Sequence, residues 1–109
     1  MISNEQLERS LDYLRDTAEQ AAQARANRLY LDDYSRVLKA TIMSEHLAEP
    51  VNAQERHAYA DQRYLNHLAG LKQAIFEDEK WRFMRDAAAI KVEVWRTQQA
   101  NQRAHGLVT

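Results

Sequence analysis

The sequence predicts an all-α protein, a long antiparallel helical hairpin with coiled-coil-like packing. Three observations carry this. Glycine occurs twice and proline once in 109 residues, so the chain has few places to turn. Alanine, glutamine, glutamate, arginine and leucine, all strong helix formers, are abundant. The single proline, Pro50, falls near the middle, between two long stretches of helical periodicity. An all-β or α/β fold would need more turns and more β-branched runs.

The first helix is expected over about residues 4–47. Ser3 and Gln6 stand in capping-box spacing at its start. Leu7, Leu11, Leu14, Ala18, Ala22, Ala26, Tyr30, Tyr34, Val37 and Leu38 follow in steps of three and four, one apolar face. The four-residue steps from Leu14 to Tyr34 depart from a strict heptad and predict a nearly straight or locally unwound supercoil. Asp32-Asp33 is the weakest point, because aspartate is a poor mid-helix residue. An i,i+4 pair, Asp32–Arg36, is expected to offset part of that. A break there would fold the first helix back into a compact three-helix monomer, the alternative to the hairpin.

The turn is expected at residues 48–52, because a proline cannot continue a helix and disfavours a helical residue before it. Asn52 and Glu55 then stand in a second capping-box spacing. The second helix is expected over about residues 53–104, with Gly106 as its C-terminal stop. Tyr64, Leu68, Leu71 and Ile75 form one stripe on it. Ala74, Trp81, Ala88 and Trp95 repeat at seven, with Met84 and Lys91 interleaved. Gly70, inside this helix, suggests a close contact or a small bend.

A short loop makes the two helices antiparallel, as one domain over residues 1–109. With equal rise per residue, residue i should lie level with roughly residue 100 − i. That sets Ala18–Ala26 against Ile75, Phe76 and Trp81, and Leu11 and Leu14 against Ala87, Ala88 and Ala89. Large side chains then face small ones, as close packing requires. Two helices alone make a thin core, yet Leu31, Phe76, Phe83, Ile90 and Val94 lie off the main stripe. Exposed apolar area of that size marks an interface. These five residues are the candidate dimer interface, and the hairpin is expected to dimerise into a four-helix arrangement.

Composition excludes several functions. With no cysteine there is no disulfide, thiolate metal site or cysteine nucleophile. No apolar run reaches the roughly 20 residues of a membrane span. Met1-Ile2-Ser3-Asn4-Glu5 lacks the charged-then-apolar pattern of a secretory leader, so the cytoplasm is the expected compartment. Net charge is −1; residues 1–50 hold nine acids and six bases, residues 51–109 seven acids and nine bases. Neither half has the excess expected of a dedicated nucleic-acid binder.

No catalytic arrangement emerges. Two isolated glycines cannot cradle a phosphate, no serine sits in a nucleophile elbow, and a smooth hairpin offers no deep pocket. His46 and His57 flank the turn near Glu45, Glu49 and Glu55, but no His-Glu-x-x-His motif exists. Gln54 and Tyr64 stand where the Glu-x-x-His spacing of di-iron bundles would need glutamates. These histidines read as solvated or capping residues, and no cofactor or metal is expected. Glu77-Asp78-Glu79 beside Lys80, Arg82 and Arg85 reads as a solvated, salt-paired face, with Asp78–Arg82 and Arg82–Asp86 at i,i+4.

Arg15, Arg82, Arg85, Arg96 and Arg103 form a basic stripe that could meet a phosphate backbone. Trp95 next to Arg96 could stack on an unpaired base, but opposite Ile2 and Leu7 it reads as core.

The segments Arg28-Leu29-Tyr30-Leu31-Asp32-Asp33-Tyr34, Glu55-Arg56-His57-Ala58-Tyr59-Ala60 and Trp95-Arg96-Thr97-Gln98-Gln99-Ala100-Asn101-Gln102-Arg103 resemble small helical proteins of tailed bacteriophages and prophages. Some of those proteins are encoded near recombination and replication genes. The resemblance implies a phage or prophage origin and favours an accessory role in DNA metabolism; its motifs define no active site. The expectation is therefore a non-enzymatic protein that acts by protein–protein interaction in DNA recombination or replication. The alternative is a direct nucleic-acid binder that uses the basic stripe.

Overall fold

The computed structural model describes the backbone of residues 1–108 and the side chains through Gly106. Four helices account for nearly all of it: α1 Asn4–Asp16, α2 Ala18–Ser44, α3 Val51–Ala60 and α4 Gln62–Val108. There is no strand among the described residues. The chain divides into two compact units, one of residues 22–79 and one of residues 1–21 with the chain from Lys80 onward.

In the second of these, α1 begins as its sequence predicts. The Ser3 hydroxyl accepts the Gln6 N–H, and the Gln6 side chain accepts the Ser3 N–H, satisfying two otherwise orphaned donors. The chain then breaks at Thr17, not at Asp32-Asp33, which lie inside α2. The cause is visible in the hydrogen bonds. Thr17 Oγ1 donates to the Tyr13 carbonyl at 2.6 Å, a back-bond that bends helices. Arg85 drives its guanidinium into the same place, donating to the Leu14 carbonyl and to Thr17 Oγ1, both at 2.7 Å. A side chain inserted at the ladder is a recognised source of kinks. The segments run antiparallel, since Ile2 N–H donates to Gln98 Oε1 and Trp95 Nε1 to Asn4 Oδ1 while Arg85 meets Leu14. The predicted levels for Ile2, Asn4 and Leu14 were 98, 96 and 86, within one residue of these partners.

In the unit of residues 22–79, α2 leads into a turn held by i→i+3 bonds: Glu45 N to Ile42 O, His46 N to Met43 O and Glu49 N to His46 O. Pro50, with φ −59° and ψ 155°, is the N-cap of α3, and Gln54 N closes on its carbonyl. Helix therefore resumes at Val51, two residues before the expected start. Asn52 already lies inside it and makes no capping box; its Oδ1 accepts the Ala53 N–H instead. The buried Gln54 side chain ties the turn down by donating to the Glu49 carbonyl. A second interruption, absent from the expectation, falls at Asp61, where the backbone is extended. Its carboxylate accepts the Arg63 N–H at 2.8 Å, so Asp61 caps α4.

Across this unit Arg28 meets Asp78 and Glu79, Ser35 meets His67, and Glu45 meets Arg63, again antiparallel. Here the partners lie up to eight positions beyond the 100 − i level. The short helix α3, the break at Asp61 and the reach of the arginine side chains all displace the register. Leu38, Ile42 and Ala58 form the core, with Met43 and Tyr64 packed against it. Ile42 is the one large side chain fully removed from solvent among the described residues.

The shielded residues correct the sequence reading. From α1 through Thr17 to α2 they include Leu7, Ser10, Leu14, Thr17, Ala21, Ala24, Arg28, Leu31, Ser35, Leu38 and Ile42, strictly alternating steps of three and four. On α4 they include Tyr64, His67, Leu71, Ala74, Asp78, Trp81, Arg85, Ala88, Val92, Trp95 and Gln99, with the same alternation. This is the coiled-coil heptad: on α4 it keeps the expected seven-residue repeat of Ala74, Trp81, Ala88 and Trp95, and on α1 and α2 it replaces the expected four-residue steps from Leu14 to Tyr34. Leu11, Ala22, Ala26, Tyr30, Tyr34 and Val37 are exposed, as are Leu68, Ile75, Met84 and Lys91. Phe76 is also exposed, so the Ala18–Ala26 stretch does not shield it or Ile75. Near the Leu14 level, Leu14 is half-buried and Ala88 buried, while Leu11, Ala87 and Ala89 are exposed, and the residue that meets Leu14 is Arg85.

Four smaller expectations also change. Arg36 pairs with Asp33 at i,i+3 rather than with Asp32. Asp78 turns to Arg28 across the seam. A Cβ at Gly70 would meet nothing within 4 Å, so no close approach requires that glycine. Helix continues past Gly106 to Val108.

Candidate functional site

The feature with the clearest functional content is a set of apolar side chains on the side of α4 away from its shielded seam. At 100° per residue, Phe83, Ala87, Ile90 and Val94 lie within roughly 60° of one another. Arg85, Ala88, Val92 and Trp95 project from the other side of the cylinder. Phe83 is 63% exposed, Ile90 61% and Val94 40%. The guanidinium of Arg82 lies 5.2 Å from the Phe83 ring centre, covering part of one face. In the unit of residues 22–79, Phe76 is 60% exposed, on the side of α4 opposite His67, Leu71 and Ala74. Four of the five candidate interface residues thus present apolar surface to solvent. Leu31 does not: it is half-buried on the shielded heptad of α2, because its seven-residue partners Ala24 and Leu38 share that seam.

The basic stripe is less uniform than its spacing suggested. Arg15 is exposed but lies between Asp12 at 3.3 Å and Asp16 at 2.9 Å; the hydrogen bond to Asp16 and the charges of both raise its pKa. Arg85 faces inward and is spent on Leu14 and Thr17. Arg96 pairs with Glu93 at 3.0 Å. Arg82 and Arg103 are exposed. Trp95 is half-buried with its indole N–H on Asn4, which agrees with the core reading. Trp95, Arg96, Gln99 and Arg103 line a shallow cleft of about 530 Å³ that also contains Glu93.

Polar residues occupy much of the seam. Arg28 donates to Asp78 at 3.0 Å and to Glu79 at 2.9 Å, and these bonds hold its pKa above the ordinary value. Ser35 Oγ lies 2.7 Å from His67 Nε2. At the turn, Arg63 forks onto both oxygens of Glu45, at 3.0 and 2.7 Å, and onto both oxygens of Asp61. Those hydrogen bonds hold the carboxyls of Glu45 and Asp61 below the usual carboxylate range. Among the described residues, His46, Glu49 and His57 are close enough together that they could hold a metal ion.

Sequence reasoning missed the seam arginines and the capping role of Asp61. A strict heptad count that allowed polar residues would have found Arg28, Asp78 and Arg85. No periodicity could have shown that their partners stand opposite. Comparison with protein-family models, curated proteins and solved structures yields no match. No helix among the described residues is long and apolar enough to cross a membrane.

Proposed function

We propose that this chain is a non-enzymatic helical interaction protein that associates through the outer face of α4, first with a second copy of itself. The observation that carries this reading is the exposed row Phe83, Ile90 and Val94, on the side of α4 that its own seam leaves uncovered. Their seven- and four-residue steps are those of a second helix-packing seam. A helix with one paired and one unpaired apolar side is suited to a four-helix arrangement. The resemblance to phage and prophage proteins, which stands on sequence segments alone, extends the reading to an accessory role in DNA recombination or replication. The cysteine-free composition suits a reducing compartment such as the cytoplasm.

Sedimentation velocity over a range of concentrations tests the self-association. The expected result is twice the 12.7 kDa chain mass for the wild type, and the chain mass for the double variant Phe83→Glu, Ile90→Lys with helicity unchanged. A wild type that stays at the chain mass at the highest concentration would overturn it.

The cleft beside Trp95, Arg96 and Arg103 supports a second reading, direct contact with nucleic acid. Fluorescence anisotropy with single- and double-stranded DNA at low salt tests it. Affinity should fall steeply as salt rises. No binding at tens of micromolar would refute it, since non-specific binders reach roughly 10⁻⁴–10⁻⁶ M.

A further inference from the structure

The turn between α2 and α3 brings together two imidazoles and one carboxylate from three places in the sequence. His46 and Glu49 belong to the turn itself, and His57 stands on α3. Glu49 Oε2 lies 2.7 Å from His57 Nε2 and 3.4 Å from His46 Nδ1. The two rings are stacked, with centres 3.8 Å apart and planes within 3° of parallel. One potential ligand atom from each residue falls within a set spanning no more than 4.8 Å.

We infer that His46, Glu49 and His57 form a binding site for a divalent transition-metal cation of the zinc type. Two imidazole nitrogens and one carboxylate oxygen are a donor set that zinc accepts in tetrahedral sites, with a fourth position left for water. Bond lengths of about 2.0–2.2 Å would set the three donor atoms about 3.3 Å apart, so the Glu49–His57 pair at 2.7 Å would open while the widest separation, no more than 4.8 Å, would close. Both adjustments are small for side chains that are all partly exposed. The stacked rings must also open, so that each nitrogen points at a shared centre rather than along a parallel line. Both histidines are 32–44% exposed, and neither ring is hemmed in on every side.

The other carboxylates at this end already have cationic partners. Glu45 and Asp61 are gripped by Arg63, and Glu55 lies 3.9 Å from Lys39. Glu49 alone in this group is placed against two potential metal ligands. The three residues border a cleft of about 560 Å³ with Ala53, Arg56 and Ala60 on its walls, which gives a cation and its remaining water a route in. A bound cation would clip the turn to α3, at the end of the unit that holds the Leu38–Ile42–Ala58 core. The effect expected of a cation bound there is on the stability of this end of the unit. Such a site goes beyond the proposed self-association, because none of its ligands lies on the outer face of α4.

Calorimetric titration of the full-length chain with Zn²⁺ tests the site. Variants His57→Gln and Glu49→Gln keep the size and hydrogen-bonding capacity of the side chains while removing or weakening a ligand. The wild type should bind one ion per chain, and its melting temperature should rise with Zn²⁺. Each variant should bind at least about 10-fold more weakly and lose the rise, with its circular dichroism unchanged. His67→Gln, outside the cluster, should bind as the wild type does. No uptake by the wild type at submillimolar Zn²⁺, or equal affinity in wild type and His57→Gln, would overturn the assignment. Mg²⁺, a hard cation that prefers oxygen, should give no heat under the same conditions.

Discussion

Ile42 offers the most direct measure of what holds the hairpin together. It is 0% exposed, and its neighbours in the core are Leu38, Ala58, Met43 and Tyr64. Ile42→Ala removes three carbon groups at about 0.8 kcal/mol each, roughly 2.4 kcal/mol of transfer energy. A cavity adds to this where the surroundings cannot collapse, and the full range for such changes is about 2–5 kcal/mol. Met43 and Tyr64 are only partly buried, so they can move inward and keep the cavity contribution small. The expected loss is therefore about 2–3 kcal/mol, a large share of the roughly 5–15 kcal/mol that stabilises ordinary domains. Urea denaturation followed by far-ultraviolet circular dichroism gives the value, with Ile90→Ala as the matched control. Ile90 is 61% exposed, so in a monomer its truncation should cost less than about 0.5 kcal/mol. If α4 pairs with a second copy, the Ile90→Ala loss should instead grow with protein concentration. A loss below about 1 kcal/mol for Ile42→Ala would refute the claim that this small cluster anchors the unit.

Two further predictions come from polar residues. Arg85→Met keeps the alkyl stem but removes the donors to Leu14 and Thr17. It should cost about 1.5–3 kcal/mol and raise amide exchange around Thr17, and an unchanged urea midpoint would show that these bonds contribute nothing net. Arg63→Met tests the acid limb. Glu45 and Asp61 have folded-state pKa values below the ordinary carboxylate range because Arg63 hydrogen-bonds them. Groups depressed in this way add stability above the unfolded-state pKa, and that stability disappears as pH falls through the folded-state pKa. The wild type should therefore melt higher than Arg63→Met at neutral pH, and the gap should close in acid. A gap that stays constant down to about pH 2 would contradict the linkage.

Much of the fold was legible because the relevant signals are local. The Ser3–Gln6 capping box acts within one helical turn, and it forms as its spacing implies. Pro50 interrupts helix by its own geometry, although it caps α3 directly and leaves Asn52 inside the helix. The interruptions at Thr17 and Asp61 were harder to see. Thr17 is an ordinary helix residue until Arg85 arrives from 68 positions away. Asp61 carried a signal that could have been used, since aspartate is a favoured N-cap, but no glycine or proline drew attention to it. The off-stripe apolar residues divide the same way. The exposure of Phe83, Ile90 and Val94 was legible because large apolar side chains fell on a second face, while Leu31 lies in the shielded seam because the main face runs along the heptad.

That face marks the boundary between what the sequence determines and what the tertiary structure decides. Composition and scarcity of turn residues determine that the chain is helical, and the proline near its middle determines where it turns back. On the first helix, hydrophobicity suggested a seam of leucines, alanines and tyrosines at steps of three and four, with four-residue steps from Leu14 to Tyr34. The shielded seam instead admits Ser10, Thr17, Arg28, Ser35, His67, Asp78 and Arg85 at heptad positions. A polar side chain is costly to bury until a partner meets it, and that cost is what apolar patterning measures. Arg28 is supplied with Asp78 and Glu79, Ser35 with His67, and Arg85 with the Leu14 carbonyl. Each partner lies at least 32 residues away in the chain. The antiparallel pairing within each unit brings them level, so it is the pairing that decides which polar residues the seam can hold.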